Sequence, residues 1–200
     1  MTSILKVDTI QKADGSAATA AGLGIAPSGS ILQVVSHVEN GLTSFTNQTS
    51  AGTHRLLLAA NAADSTSHVS VTITPSSTSS KIILFAHVMY EGTTAPHEYL
   101  WSFHRDTTFI GAPASGSNRR RGISTPGENY SAAVDTTSTP ESVSYQFVDT
   151  PNSTSAITYC VSYNTSTLSG SLFLNRATLN SDSTAYELGV SSIIAMEIAG

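Results

Sequence analysis

The chain has 200 residues, with 9 Lys plus Arg set against 14 Asp plus Glu for a formal net charge of −5, and charged residues make up only 12% of it. That balance excludes a general nucleic-acid binder, which needs a basic excess to displace counterions; the length suits one domain with an appendage and a sizeable core. Ser and Thr supply roughly three residues in ten, far above ordinary usage, a composition that pleated strands accept better than helices because β-branching stiffens the side chain. Cys160 is the sole cysteine, so no intrachain disulfide can form and a reducing compartment suits the chain. Its place among Ile157, Tyr159 and Val161 reads as a small buried hydrophobe rather than a reactive thiol. The N-terminus lacks the apolar core of a signal peptide and no apolar run is long enough for a membrane span, so the expectation is a soluble protein without membrane insertion.

Residues 1–28 stand apart from the rest. Ile4, Leu5, Val7 and Ile10 form a short apolar stripe among Lys6, Asp8, Thr9 and Gln11, and the small-residue stretch that follows, up to Pro27-Ser28, reads as a linker unable to build a core. Such an island predicts an anchor that docks on another surface. A β domain over residues 29–200 then opens with the strand signal Ile31-Leu-Gln-Val-Val-Ser-His-Val. Leu42, Phe45 and Thr46 mark a short strand, and His54–Ala63 reads as a strand followed by a loop, although its leucines and alanines favour helix by propensity.

Val69, Val71 and Ile73 alternate with Ser70, Thr72 and Thr74, the period-2 pattern of a half-buried strand, which Pro75 ends. Lys81–Tyr90 then carries Ile82 to Ala86 without a break, which predicts a strand covered on both faces. The frame returns 76 residues on, where Pro75-Ser-Ser-Thr-Ser becomes Pro151-Asn-Ser-Thr-Ser and Val69, Val71, Ile83 and Phe85 fall on Tyr145, Phe147, Tyr159 and Val161. The expectation is two related β-hairpins packed into one core, with alternating apolar positions in step. Between them lie Glu98–Ile110, with a tight turn at Asp106-Thr107-Thr108, and a loop over 112–129; a short strand at Ala132–Val134 follows. The chain closes on Leu168–Ala177 and Ala185–Ile198. Short strands at regular spacing with polar turns predict an all-β fold, an antiparallel β-sandwich or jelly roll.

The chain has no nucleophile elbow, phosphate-cradling glycine loop or metal-binding motif, and nothing pairs a nucleophile with a base; the expectation is a protein without catalytic residues, cofactor or metal. His104-Arg105-Asp106 reads as a salt-linked turn. Arg119, Arg120 and Arg121 are the densest charge, either solvated, paired with carboxylates at a subunit contact, or a candidate receptor-contact loop for an anionic glycan or phosphate. Tyr90, His97, Tyr99 and Trp101 are either core or a candidate aromatic platform for carbohydrate.

Met1–Gln11 with Ile-Leu-Lys-Val-Asp-Thr-Ile-Gln, then Gly29-Ser-Ile-Leu-Gln-Val-Val, the two Thr-Pro-(Ser/Asn)-Ser-Thr-Ser stretches and the terminal Ile194-Ala-Met-Glu-Ile resemble small fibre proteins of marine and cyanobacterial tailed phages. The resemblance runs through nearly the whole chain and departs from the pattern at Leu42–Ala63 and Pro113–Ser131, where specificity is expected. It implies a homotrimer in the virion, assembled in the host cytoplasm, whose residues 1–28 attach to other tail or capsid proteins and whose β domain contacts a host-surface glycan. A short tail fibre or fibre tip is the leading expectation. A capsid decoration or head-fibre protein and a fibre-borne glycan hydrolase are the alternatives, the last requiring a pair of facing carboxylates that the sequence does not offer.

Overall fold

The computed structural model of this chain describes residues 10–16, 18, 26–50, 53–58, 68–111, 113, 119–127 and 137–200. Within them the strands are β1 (Ile31–Glu39), β2 (Ser44–Thr46), β3 (Arg55–Leu56), β4 (Ser70–Ile73), β5 (Lys81–Gly92), β6 (Tyr99–Arg105), β7 (Thr108–Ile110), β8 (Glu141–Asp149), β9 (Ile157–Thr165), β10 (Ser171–Leu174) and β11 (Ser191–Ile198). A 3-10 turn, Pro96–Glu98, leads into β6. All pairings are antiparallel and fall into two sheets, the predicted all-β sandwich. In the first sheet β5 is central. β11 and β10 follow one another along one side of it, β8 runs down the other, and β1 and β2 extend the sheet beyond β11 and β10. In the second, β9 is central, with β6 and then β7 on one side and β3 and β4 on the other.

Alternation decides what lies between the sheets. Ile82, Leu84, Ala86, Val88 and Tyr90 of β5 point inward with Ile193 and Ala195 of β11, and they meet Tyr99, Trp101 and Phe103 of β6 and Tyr159, Val161 and Tyr163 of β9. Aromatic edges fill the widest part: Tyr90 meets Trp101 at 4.7 Å and Tyr99 at 5.2 Å between ring centroids, both T-shaped, the arrangement that ring quadrupoles favour. Cys160 is buried, as expected, and burial pushes its thiol pKa up. The tight turn predicted after Arg105 forms at Asp106, whose φ of 50° is left-handed. Its partners differ from expectation. Asp106 accepts from the Thr158 N–H at 2.9 Å, and it is Arg105 that makes an ion pair, with Asp149 at 3.1 Å.

The expected hairpins are not hairpins. β4 pairs with β9 and β5 with β8, so each strand–turn–strand unit leaves one sheet and enters the other as an arch, and the two arches pair with each other. The connections at 74–80 and 150–156 cross between layers rather than folding a strand back beside itself. The repeat is also in step through only its first strand. Val69, Val71 and Tyr145 are buried and Phe147 packs against the core, but Ile83 is half-buried and Phe85 exposed where Tyr159 and Val161 are buried. Leu84 pairs with Phe147, whereas the 76-residue shift would pair Val71 with Cys160 and the structure pairs it with Tyr159. The second arch is one residue shorter between core positions, and one residue turns a strand over.

Of the first two stretches, Lys12 to Ser16 forms a turn, with the Lys12 N–H on the Ser16 carbonyl at 2.8 Å, and Ile10 is exposed. Ile4, Leu5, Val7 and Ala132–Val134 lie outside the described residues. The short strands at 44–46 and 55–56 fall where the sequence placed them.

A buried carboxylate closes the first arch. Glu197, fully buried near the end of β11, accepts from the Ser76 N–H and Oγ (both 2.7 Å), Ser80 Oγ (2.6 Å) and Gln33 Nε2 (2.5 Å), which ties the arch to β1 and β11. Burial alone raises its pKa, but these hydrogen bonds outweigh it and hold the carboxyl below its ordinary value. A depressed carboxylate stabilises the fold above its ordinary pKa and loses that contribution as pH falls through the folded value. Glu197→Ala should therefore lower the unfolding free energy by about 2–4 kcal/mol at pH 7. Urea denaturation checks this, and the gap to wild type should narrow below pH 4.5, the ordinary value.

Candidate functional site

The outward face of the first sheet is where unsatisfied apolar surface collects. The register lines up Val34, Met196, Ile83 and Val148 in one row across four strands and Ser36, Ile194, Phe85 and Gln146 in the next. A third row holds Val38, Ser192, His87 and Ser144. Val34, Val38 and Val148 are 54%, 60% and 53% exposed and Phe85 is 37% exposed. These three rows contain no acidic residue, lysine or arginine; Lys81 sits at the margin beside Ile198. A shallow concavity of about 510 Å³ lies between Phe85, His87, Gln146 and Ile194. β5 is therefore covered on one face within the chain, and the expected cover on its second face is not supplied by the described residues. Leu172, Leu174 and Ile193 are fully buried in the core.

The candidate aromatic platform is taken apart by the fold. Tyr90, Tyr99 and Trp101 are fully buried between the sheets, and burial pushes the Tyr99 hydroxyl pKa up; none of the three rings is available to a sugar. His97 lies apart from them on the 3-10 turn, 3.7 Å from the Glu98 carboxylate. The three arginines are also separated. Arg120 donates to the Glu98 carbonyl and pairs with its carboxylate at 3.3 Å, an intrachain contact, while Arg119 and Arg121 are exposed. The segment that carries them is held by the Ile123 and Ser124 N–H groups on the Trp101 carbonyl (2.8 and 3.2 Å) and by the Trp101 N–H on the Ser124 carbonyl (2.7 Å).

The outward face of the second sheet holds a group that the sequence did not bring together. Ser102, Ser162 and Asn164 are almost wholly buried on it, and His104 stands next to Cys160 in the β6–β9 ladder. His104 Nδ1 lies 3.0 Å from Ser162 Oγ, which is 3.4 Å from His54 Nδ1, and His54 Nε2 lies 3.1 Å from the Arg121 carbonyl. Phe109 packs on the His54 ring at 4.2 Å, with the Arg121 guanidinium 5.9 Å from the Phe109 centroid. Burial, and for His54 also the neighbouring His104, lowers both imidazole pKa values to about 4, so both rings are neutral at pH 7. His54 and His104 are 50 positions apart and share no motif; the sole sequence signal was the small polar residues at alternate places of β9.

No group of three or more His, Cys, Asp or Glu among the described residues is arranged to hold a metal ion, and no helix among them is long and apolar enough to cross a membrane. No family model matches the chain and no curated protein matches it. Among solved structures, the crystal structure of the infectious bursal disease virus VP2 subviral particle is similar at a TM-score of 0.36 and 13% identity, over 83% of this chain and 41% of that one.

Because Trp101 is core, its truncation should act on stability. Trp101→Ala should lower the unfolding free energy by about 3–5 kcal/mol, whereas Arg120→Ala, which removes a partly exposed pair, should cost less than about 1 kcal/mol. Chemical denaturation of both variants checks the contrast.

Proposed function

We propose that this chain is a virion structural protein, a short tail fibre or fibre tip without catalytic activity. In this reading it attaches by residues 1–28, assembles as a homotrimer and contacts a host-surface glycan. The observation that carries the assembly is the uncharged apolar face spanning Val34, Met196, Ile83, Val148, Ile194 and Phe85, since contiguous apolar surface of this kind marks an interaction site. Four strands at ~4.8 Å and about seven residues at ~3.3 Å give that face roughly 450 Å². Two copies pressed together would each bury only about half of the ~800 Å² that a partner commits to a standard interface.

Three copies turned toward one axis gain more, because each also meets two neighbours at its sheet edges. Among the described residues no strand pairs with the outer sides of β1 and β8. Three successive antiparallel pairings, β1 with β11, β11 with β5 and β5 with β8, make these two edges run in opposite directions, so β1 of one copy can continue the antiparallel ladder of β8 in the next. Such a contact is heterologous and closes into a ring. The motif resemblance supports the virion and the trimer, and Arg119 and Arg121 remain the exposed groups for an anionic glycan. Three weak sites then add through effective concentration.

Sedimentation equilibrium of the full chain at micromolar concentration should return three times the 20.8 kDa mass. Phe85→Asp should yield a folded monomer, since Phe85 lies outside the core, whereas Leu172→Asp, in the core, should unfold the chain. A monomeric wild type overturns the trimer. Deleting residues 1–28 should keep the unfolding transition cooperative and abolish incorporation into particles. Immunogold labelling at the tail tip supports the fibre, and labelling over the head supports capsid decoration instead.

A further inference from the structure

We propose that His54, Ser162 and His104 form an acid-released latch on the loop that carries Arg119 and Arg121. The latch stands independently of the assembly described above. Its logic follows from proton counting. The Arg121 carbonyl can only accept, so the His54 Nε2 that faces it at 3.1 Å carries the hydrogen, and neutral His54 has a bare Nδ1. Ser162 Oγ must then donate its one hydrogen to His54 Nδ1, and it accepts in turn from Nδ1–H of His104. One arrangement of protons satisfies the chain: His104 donates to Ser162, Ser162 to His54 and His54 to the loop. It needs His54 neutral, since His104 keeps its Nδ1–H whether or not its Nε2 is protonated.

A proton added to His54 must go on Nδ1, where it confronts the Ser162 hydroxyl donor. It also places a charge beside buried surface next to the second imidazole. The other ionisable groups around the relay among the described residues are Arg121 on the loop, Arg55 next to His54, Cys160 beside His104 and Asp106 in the turn that follows β6. Asp106 is engaged on the Thr158 N–H, Arg55 stacks over Phe45 at 5.4 Å from the ring centroid, and Arg121 has the same sign as an imidazolium. None offers His54 a counter-charge. Relief comes from lifting the 119–124 segment, which exposes the ring to water and returns it to ordinary behaviour.

The sign is fixed by linkage. A histidine held at about 4 when closed and at 6.5 when open costs nothing above pH 6.5 and favours opening progressively as pH falls toward 4. For His54 alone the opening equilibrium rises roughly 30-fold between pH 7.5 and pH 5.

Hydrogen exchange of the full chain reads the latch at the Ile123 and Ser124 amides, which bond to Trp101. After division by intrinsic rates, their protection should fall roughly 30-fold between pH 7.5 and pH 5, while amides of the β5–β11 ladder stay unchanged. In the double variant His54→Gln, His104→Gln, neither position titrates and the two amides should keep their protection to pH 5. Constant protection in the wild type, or an equal fall in the double variant, overturns the proposal. Should the double variant fail to fold, the wild-type imidazole resonances decide. Titration below pH 5 coupled to a shift at Ile123 supports the latch, and titration near pH 6.5 with no change at Ile123 overturns it.

Discussion

The structure depends on one constraint, that two arches pair with each other in both sheets at once. β5 lies against β8 in the first sheet and β4 against β9 in the second, so 74–80 and 150–156 must each span the gap between layers, about 10 Å for face-to-face sheets. A hairpin turn closes on itself through backbone hydrogen bonds; the crossing at 74–80 makes one such bond, Ser80 N–H on the Ser77 carbonyl at 3.2 Å, and its other polar groups need other partners. At the first crossing a carboxylate supplies them, and at the second a carboxylate ties together the flanking strands instead. Glu197 takes Ser76 and Ser80 at the first, and Asp149 takes the Tyr159 hydroxyl at 2.7 Å and the Arg105 guanidinium at the second. Burial of these carboxylates is tolerable because donors surround them.

That pairing also fixes where the apolar surplus goes. β5 is central in its sheet, so its even-numbered residues from Ile82 to Tyr90 face the aromatic core while Ile83 and Phe85 face out. β11 and β1 repeat the same split on one side of β5 and β8 on the other, and the register stacks their outward residues into rows. A Ser/Thr-rich chain could have filled these rows with hydroxyls, as it does at Ser192 and Ser144. Instead one row is wholly apolar, with Val34, Met196, Ile83 and Val148, and the next sets Ile194 and Phe85 beside Ser36 and Gln146, at a cost in exposed apolar area of the kind that marks an interaction site.

Much of this was legible because period-2 alternation reports which face a residue takes. Val69, Val71 and Ile73 read as one face and are buried together, and the Asp106 turn and the short strand at Phe45 fell where the pattern put them. Alternation does not report which sheet the next strand joins. Strand–turn–strand looks the same whether the turn doubles back or crosses, so the arches read as hairpins. Nor does a repeated turn motif guarantee equal spacing, and one residue fewer in the second arch sent Tyr159 and Val161 inward where their counterparts Ile83 and Phe85 go outward. The aromatic residues at 90, 99 and 101 carried no mark of depth. Only the packing of two sheets shows that they are core.

The two outward faces show how the same composition serves opposite ends. On the first sheet the outward side chains are large, apolar and open. On the second they are small and polar, yet Ser102, Ser162 and Asn164 are sealed from water by the chain segments laid over them. Small hydroxyls let a covering segment approach the sheet closely, and every hydroxyl so covered must then find a partner among its neighbours. Ser162 finds two, one imidazole on each side, and because a hydroxyl has a single hydrogen it orders their protons in one direction. A valine at 162 would leave both His54 Nδ1 and His104 Nδ1 without this partner, and an additional proton on the His54 ring has no place in the chain. A cover held through a neutral imidazole is firm where it is neutral and loosens where it is not, which is a property an apolar seal could not have.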